Sequence, residues 1–183
     1  MKQSKNNRVQ FLAVAGLIAA LYTALTVALA PFSFGTVQCR VSEALTVLAA
    51  YSPVGAVGLT IGCALSNVIG LGMGANTAGA LDILLGTFAT GLAAWLSYRL
   101  RHHRIGGLPV LSTIPPVLTN ALIIGTELTL VVGPRTLGWW GLWMLSVAAG
   151  QAIACIGGGL LLAKALQKTG LDRRLERNDY TFR

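Results

Sequence analysis

Charge is what this chain has least of. Lysine and arginine number 14 and aspartate and glutamate 6, so that 11% of the 183 residues are charged, where a soluble domain carries roughly a quarter. Cysteine is limited to Cys39, Cys63 and Cys155. They are odd in number and unevenly spaced, which indicates neither a disulfide framework nor a zinc site. No GxxxxGK phosphate loop is present, so ATP is not used by that route. The glycine-rich run from Gly70 to Gly79 has no strand before it and reads as a flexible turn. HExxH, GxSxG and Cys-x-x-Cys are missing too, and His102 and His103 sit in a basic loop. These absences leave no catalytic set, no metal site and no cofactor to assign. No inverted repeat of the kind common in secondary carriers is visible.

Apolar sequence dominates instead, at 54% of residues and a mean hydropathy of +0.67. The expectation is an all-α membrane protein, one integral domain over residues 1–183 with polar cytoplasmic tails at 1–8 and 169–183. A net charge of +8 would admit nucleic acid as a partner, but the basic residues gather at the flanks of apolar runs. They lie at Lys2, Lys5 and Arg8, at Arg99, Arg101 and Arg104, and from Lys164 to Arg183. That is the positive-inside pattern of a protein in a lipid bilayer, and it argues against nucleic acid.

Six helices are predicted. Helix 1 runs from about Val9 to Ala30, longer than a signal-peptide core, and stops before Pro31. Residues 31–40 form a loop broken by Pro31 and Gly35. Helix 2, about Val41 to Ser52, covers only ~18 Å at about 1.5 Å per residue. A hydrocarbon core is about 30 Å thick, so helix 2 has to be buried among other helices or sit beside a water-filled cavity. Pro53 opens helix 3, which runs to about Leu71. Helix 4 spans about Ala78 to Leu100, helix 5 follows the Ser112 cap to about Val132, and helix 6 runs from about Leu137 to Lys168. Six crossings put both termini on one side. With that side taken as cytoplasmic, all fourteen basic residues fall inside except Arg40 and Arg135. A five-helix count would separate two basic tails across the membrane.

The stretch from Pro31 to Leu48 places Gln38, Arg40, Ser42 and Glu43 in apolar surroundings, where charge is usually retained for a use. Glu43, Asp82 and Glu127 all fall in the outer half of the membrane in this topology, as do Gln38, Arg40, Asn76, Trp139 and Trp140. Asn120 and Glu127 share one face of helix 5. Asp82, Gly86 and Thr90 share a face of helix 4, and Ser66, Asn67 and Gly70 share one of helix 3. Such faces point away from lipid. Structural alternatives stand beside a ligand role: Glu43 can pair with Arg40 three residues earlier, and Asp82 can favour the start of its helix. Trp139, Trp140 and Trp143 suit an interfacial belt, with one of the adjacent pair free to turn inward and stack on a flat ligand.

The run FSFGTVQCRVSEALTVL, with ALYTALT in helix 1, IGCALSN in helix 3 and GALDILLGTFAT in helix 4, resembles the QueT family from about Arg8 to Lys168. That resemblance implies a substrate-binding (S) component of an energy-coupling factor transporter, in the cytoplasmic membrane of a bacterium. It implies the six-helix S-component fold, a pocket near the outer surface, and partnership with a transmembrane coupling protein and two ATPase subunits. It implies uptake of a queuosine precursor, a 7-deazaguanine base or queuine. It also implies an AxxxA pattern on helix 1 at the contact with the coupling protein. Ala15 with Ala19 and Ala20 with Ala24 both match.

A deazaguanine edge offers two adjacent donors that one carboxylate can accept as a bidentate pair. Glu127 or Asp82 is expected to read that edge, with Glu43 and Arg40 shaping the pocket. Gln38, Arg40 or Asn120 would donate to the carbonyl, an indole of Trp139 or Trp140 would cover the ring, and Asn67 completes the candidate set. A solitary carrier or channel for a small polar solute is the competing reading, using Glu127 or Asp82 as a proton site. An intramembrane enzyme ranks last, because no nucleophile accompanies the carboxylates.

Overall fold

Each apolar run becomes a helix in the computed structural model, which describes residues 2–35 and 39–177. The helices are α1 (Lys2–Ala28), the single turn α2 (Ala30–Ser33), a 3₁₀ helix (Val41–Ala50), α3 (Pro53–Gly72) and α4 (Leu81–Arg99). A 3₁₀ turn (Leu111–Thr113) leads into α5 (Ile114–Val131). Then come α6 (Leu137–Gln151), a π-helical segment (Ala152–Gly158), α7 (Gly159–Thr169) and α8 (Leu171–Arg177). Five stretches among the described residues are long and apolar enough to cross a membrane, the last of them running unbroken from Leu137 to Thr169. The shorter apolar Val41–Ala50 element stands where the second of the six expected helices was placed.

Several boundaries differ from expectation, each for a local reason. The polar residues before Val9 are not a tail but the first turns of α1, because no proline or glycine interrupts them. Pro31 does not merely end a helix: it sits in the first turn of α2, where a missing N–H costs nothing. α4 begins at Leu81 instead of Ala78, after Gly79 takes a left-handed φ of 70° that an α-helix cannot hold. Beyond Lys168 the chain is not simply a polar tail: Gly170, at φ 71°, caps α7 and lets α8 start.

Helix 2 brings the largest correction. It is wound as a 3₁₀ helix along its whole length and ends at Ala50 instead of Ser52. Such runs rarely exceed four residues, since their hydrogen bonds are poorer. The tighter winding has a geometric effect: at ~2.0 Å per residue, ten residues reach about 20 Å. The element packs against α1, α3, α4, α7 and the π segment, and Ser42, Glu43, Leu45, Thr46, Val47, Ala49 and Ala50 are all buried. Of the two settings its shortness allowed, it takes the first, enclosed among other helices. Its far end meets α7, where Val47 and Tyr51 cluster with Ala163 and Leu166. The start of α1 lies at that same end, with Phe11 and Ala15 packed on Val54. The start of α1 and the length of α7 that meets Val47 and Tyr51 therefore share one end of the bundle.

Small residues set the tightest approach. A methyl group added at Gly58 would lie 2.8 Å from the Ala15 carbonyl oxygen, and one at Gly62 would lie 2.8 Å from Cβ of Tyr22. α1 and α3 thus touch backbone to backbone, the arrangement that makes apolar helices associate without a hydrophobic driving force. One of the two alanine pairs is used up here. Ala15 and Ala19 are 2% exposed and face α3, while Ala20 and Ala24 stand on the open surface of α1.

Candidate functional site

At the end of the bundle away from the basic cluster, Arg40 precedes the first turn of the 3₁₀ helix and is 4% exposed. A buried guanidinium needs both a counter-charge and hydrogen-bond acceptors. Its Nη2 lies 2.6 Å from Oδ2 of Asp82, which is fully buried. Its Nε donates to the Ser33 carbonyl at 3.1 Å, its Nη1 lies 3.8 Å from Sγ of Cys63, and the guanidinium sits over the Phe34 ring. Asn76 donates to the same Asp82 oxygen at 2.9 Å, and Asn67 donates to the Asp82 carbonyl at 2.7 Å. Thr77 donates to the Phe34 carbonyl at 2.8 Å. One network thereby ties the loop after α1 to α3, to the turn between α3 and α4, and to α4 itself.

Glu43 does not pair with Arg40, although three residues separate them. Its Oε1 accepts from the Tyr22 hydroxyl at 2.5 Å and from Thr90 at 3.3 Å. Cys155, on the π segment, directs its thiol at the Glu43 carbonyl at 3.6 Å, and Thr46 donates to that carbonyl at 2.6 Å. Ser42 meets Thr26 of α1 at 2.6 Å. Asp82 likewise does more than favour a helix start, since its side chain is the counter-ion of Arg40.

The remaining polar atoms define what the site lacks. Oε2 of Glu43, Oδ1 of Asp82, Oδ1 of Asn67 and both carboxylate oxygens of Glu127 are buried and find no hydrogen-bond partner among the described residues. Glu127 is fully buried on α5, with Asp82 and Arg40 as its electrostatic neighbours. Arg40 is the one basic side chain buried with these carboxylates among the described residues. Each orphaned acceptor costs about 1–3 kcal/mol. The arrangement is short of donors, and a ligand that brings N–H groups or positive charge would relieve it.

Other residues singled out by sequence are placed differently. Gln38 lies outside the described residues. Asn120 is buried, but its amide donates to Pro116 of its own helix at 2.9 Å. Trp139 is exposed and leans on Trp143 at 6.2 Å between ring centroids, and the Trp140 indole N–H donates to Thr126 at 3.0 Å on the outside of α5. Neither ring is turned inward. Trp143 is, packing among Ala89, Ile124, Leu128 and Val147 with its N–H buried and unpartnered among the described residues. Tyr22, Asn76 and Cys63 were not assigned to the site from sequence. For Tyr22 a signal existed: its hydroxyl and that of Thr26 lie four residues apart, on one face of an apolar helix. No group of three or more His, Cys, Asp or Glu among the described residues is placed to hold a metal.

Compared with known proteins, residues 12–168 match the model of the family described as QueT transporter. No curated protein and no solved structure matches the chain significantly.

Proposed function

The chain belongs to the QueT transporter family, and from that premise we propose that it is the substrate-binding component of an energy-coupling factor importer for a 7-deazaguanine or queuine. It would sit in the cytoplasmic membrane of a bacterium, bind its ligand from outside, and release it inside when a coupling protein and two ATPases reorient it. Membership itself makes it a membrane transport protein and not an enzyme. The absence of a phosphate-loop motif fits a subunit that borrows its energy.

One observation carries the ligand reading: Glu127, fully buried with both oxygens unpartnered among the described residues. A carboxylate in that state suits the two adjacent donors of a deazaguanine edge, as a bidentate, charge-assisted pair. Of the two carboxylates considered for that role, Asp82 already spends an oxygen on Arg40 and Asn76. Glu127 is therefore assigned the base edge, Asp82 and Arg40 the frame, and Glu43 the acceptor for a cationic substituent through its free oxygen. Three of the five Arg40 N–H groups go to Ser33, Cys63 and Asp82, and the ligand carbonyl is left to Gln38, a remaining N–H of Arg40, or Asn120. Ala20 and Ala24 are the pair of α1 open to the coupling protein.

The test is calorimetric titration of the purified protein with queuine and with the aminomethyl and cyano deazaguanines, using guanine and riboflavin as controls. One-to-one binding of a deazaguanine that weakens at least tenfold in Glu127→Gln, the equivalent of ~1.4 kcal/mol, is the expected result. A folded protein that binds none of them refutes the ligand class. Uptake that depends on a proton gradient and needs no ATPase partners would instead support a solitary carrier.

A further inference from the structure

A second polar site lies at the opposite, basic end. A cavity of about 380 Å³ opens there between the turn after the 3₁₀ helix, the end of α4 and α8, lined by Tyr51, Tyr98, Arg101, His102, Arg104 and Glu176 together with Ala50. Tyr51 is 4% exposed, and its hydroxyl finds no hydrogen-bond partner among the described residues. Burial raises its pKa from the ordinary phenol value, so it enters the cavity as a neutral donor. Two arginines are held in place by aromatic rings: Arg101 lies over Tyr98 at 4.0 Å and Arg104 over Tyr51 at 5.3 Å. Stacking fixes a guanidinium plane and leaves its edge for hydrogen bonds.

The charges differ in how far they are committed. Arg104 is paired with Glu176 and donates to the Arg101 carbonyl. Arg101 donates once, to the Tyr98 carbonyl at 3.1 Å, and has no acidic partner among the described residues. The lining thus holds one neutralised ion pair, one unneutralised guanidinium, an imidazole and a buried hydroxyl donor. A cation would find both ring faces already occupied.

We propose that this cavity is a binding site for a phosphate-bearing anion, held by Arg101, His102 and the Tyr51 hydroxyl. Basic pockets among helix ends on the cytoplasmic side suit lipid phosphates, and free phosphate offers the same oxygens. The full-length protein in detergent is tested with two probes. Inorganic phosphate is titrated calorimetrically, and phosphatidylglycerol is compared with phosphatidylcholine by native mass spectrometry of the lipid-bound chain. Saturable one-to-one binding is expected, about fivefold weaker in Arg101→Ala. Tyr51→Phe keeps the ring and its packing and should weaken binding. Glu176→Gln removes the lining carboxylate and should strengthen it, whereas at a cation site it would do the reverse. Binding of phosphatidylglycerol alone assigns a lipid headgroup, and binding of phosphate alone assigns the free anion. No saturable binding of either probe, or binding that fails to weaken in Tyr51→Phe and to strengthen in Glu176→Gln, overturns the proposal.

Discussion

Removing either member of the Arg40–Asp82 pair tests how the end of the bundle away from the basic cluster is held together. The two groups are 4% and 0% exposed and meet at 2.6 Å, so neither can regain water if its partner is lost. Breaking a buried pair from one side costs about 3–5 kcal/mol, while replacing both members by apolar groups of similar volume is often close to neutral. Asp82→Asn keeps the shape but strips Arg40 of its counter-charge. Arg40→Met leaves Asp82 with Asn76 alone on its side chain. Each single variant is expected to lose about 3–5 kcal/mol. The double variant Arg40→Met with Asp82→Leu should lose no more than either single, because no uncompensated charge remains. The measurement is denaturant unfolding of the detergent-purified protein, followed by tryptophan fluorescence and completed as a double-mutant cycle. Single-variant losses near 1 kcal/mol or less, as for solvent-exposed pairs, would refute the reasoning. So would additive losses in the double variant.

Tyr22→Phe leaves the Glu43 carboxylate without its 2.5 Å donor and is expected to lower stability by ~1–3 kcal/mol, read by the same unfolding assay. Gly58→Leu forces side-chain atoms into the Ala15 carbonyl and the Ile18 side chain, both 2.8 Å from the first added carbon. It should cost upwards of ~1–3 kcal/mol or abolish folded expression in size-exclusion profiles. Gly141→Ala meets nothing within 4 Å and should be neutral or stabilising by ~0.5–1 kcal/mol. Ala20→Trp, on the open face of α1, should leave deazaguanine affinity unchanged and eliminate co-purification with the ATPase subunits. Loss of both together would show that α1 surface changes disturb the ligand site directly.

Composition and order along the chain were enough to specify much of this protein. Hydropathy runs and the placement of basic residues yield a helical membrane protein, six crossings, and both termini at the basic end, because these depend on how each residue partitions between lipid and water. The buried faces were legible for the same reason: Asp82, Gly86 and Thr90, or Ser66, Asn67 and Gly70, recur at helical spacing and are buried. The length of the short second helix already barred it from facing lipid along its whole course.

Partner choice was not legible. Arg40 lies three residues from Glu43, yet it pairs with Asp82, 42 residues away, while Oε1 of Glu43 accepts from Tyr22 of α1 and Thr90 of α4. Which alanine pair of α1 is buried and which is open depends on where α3 lands, and the two pairs are indistinguishable by spacing. The winding of Val41–Ala50 is likewise a tertiary outcome: nothing in its residues opposes an ordinary α-helix, and its 3₁₀ form occurs where it packs against the π-wound Ala152–Gly158. Sequence sets each residue's depth in the membrane and its face on a helix, because both are properties of one helix and its solvent. Lateral neighbours and hydrogen-bond register are properties of several helices packed at once, and only the tertiary structure decides them.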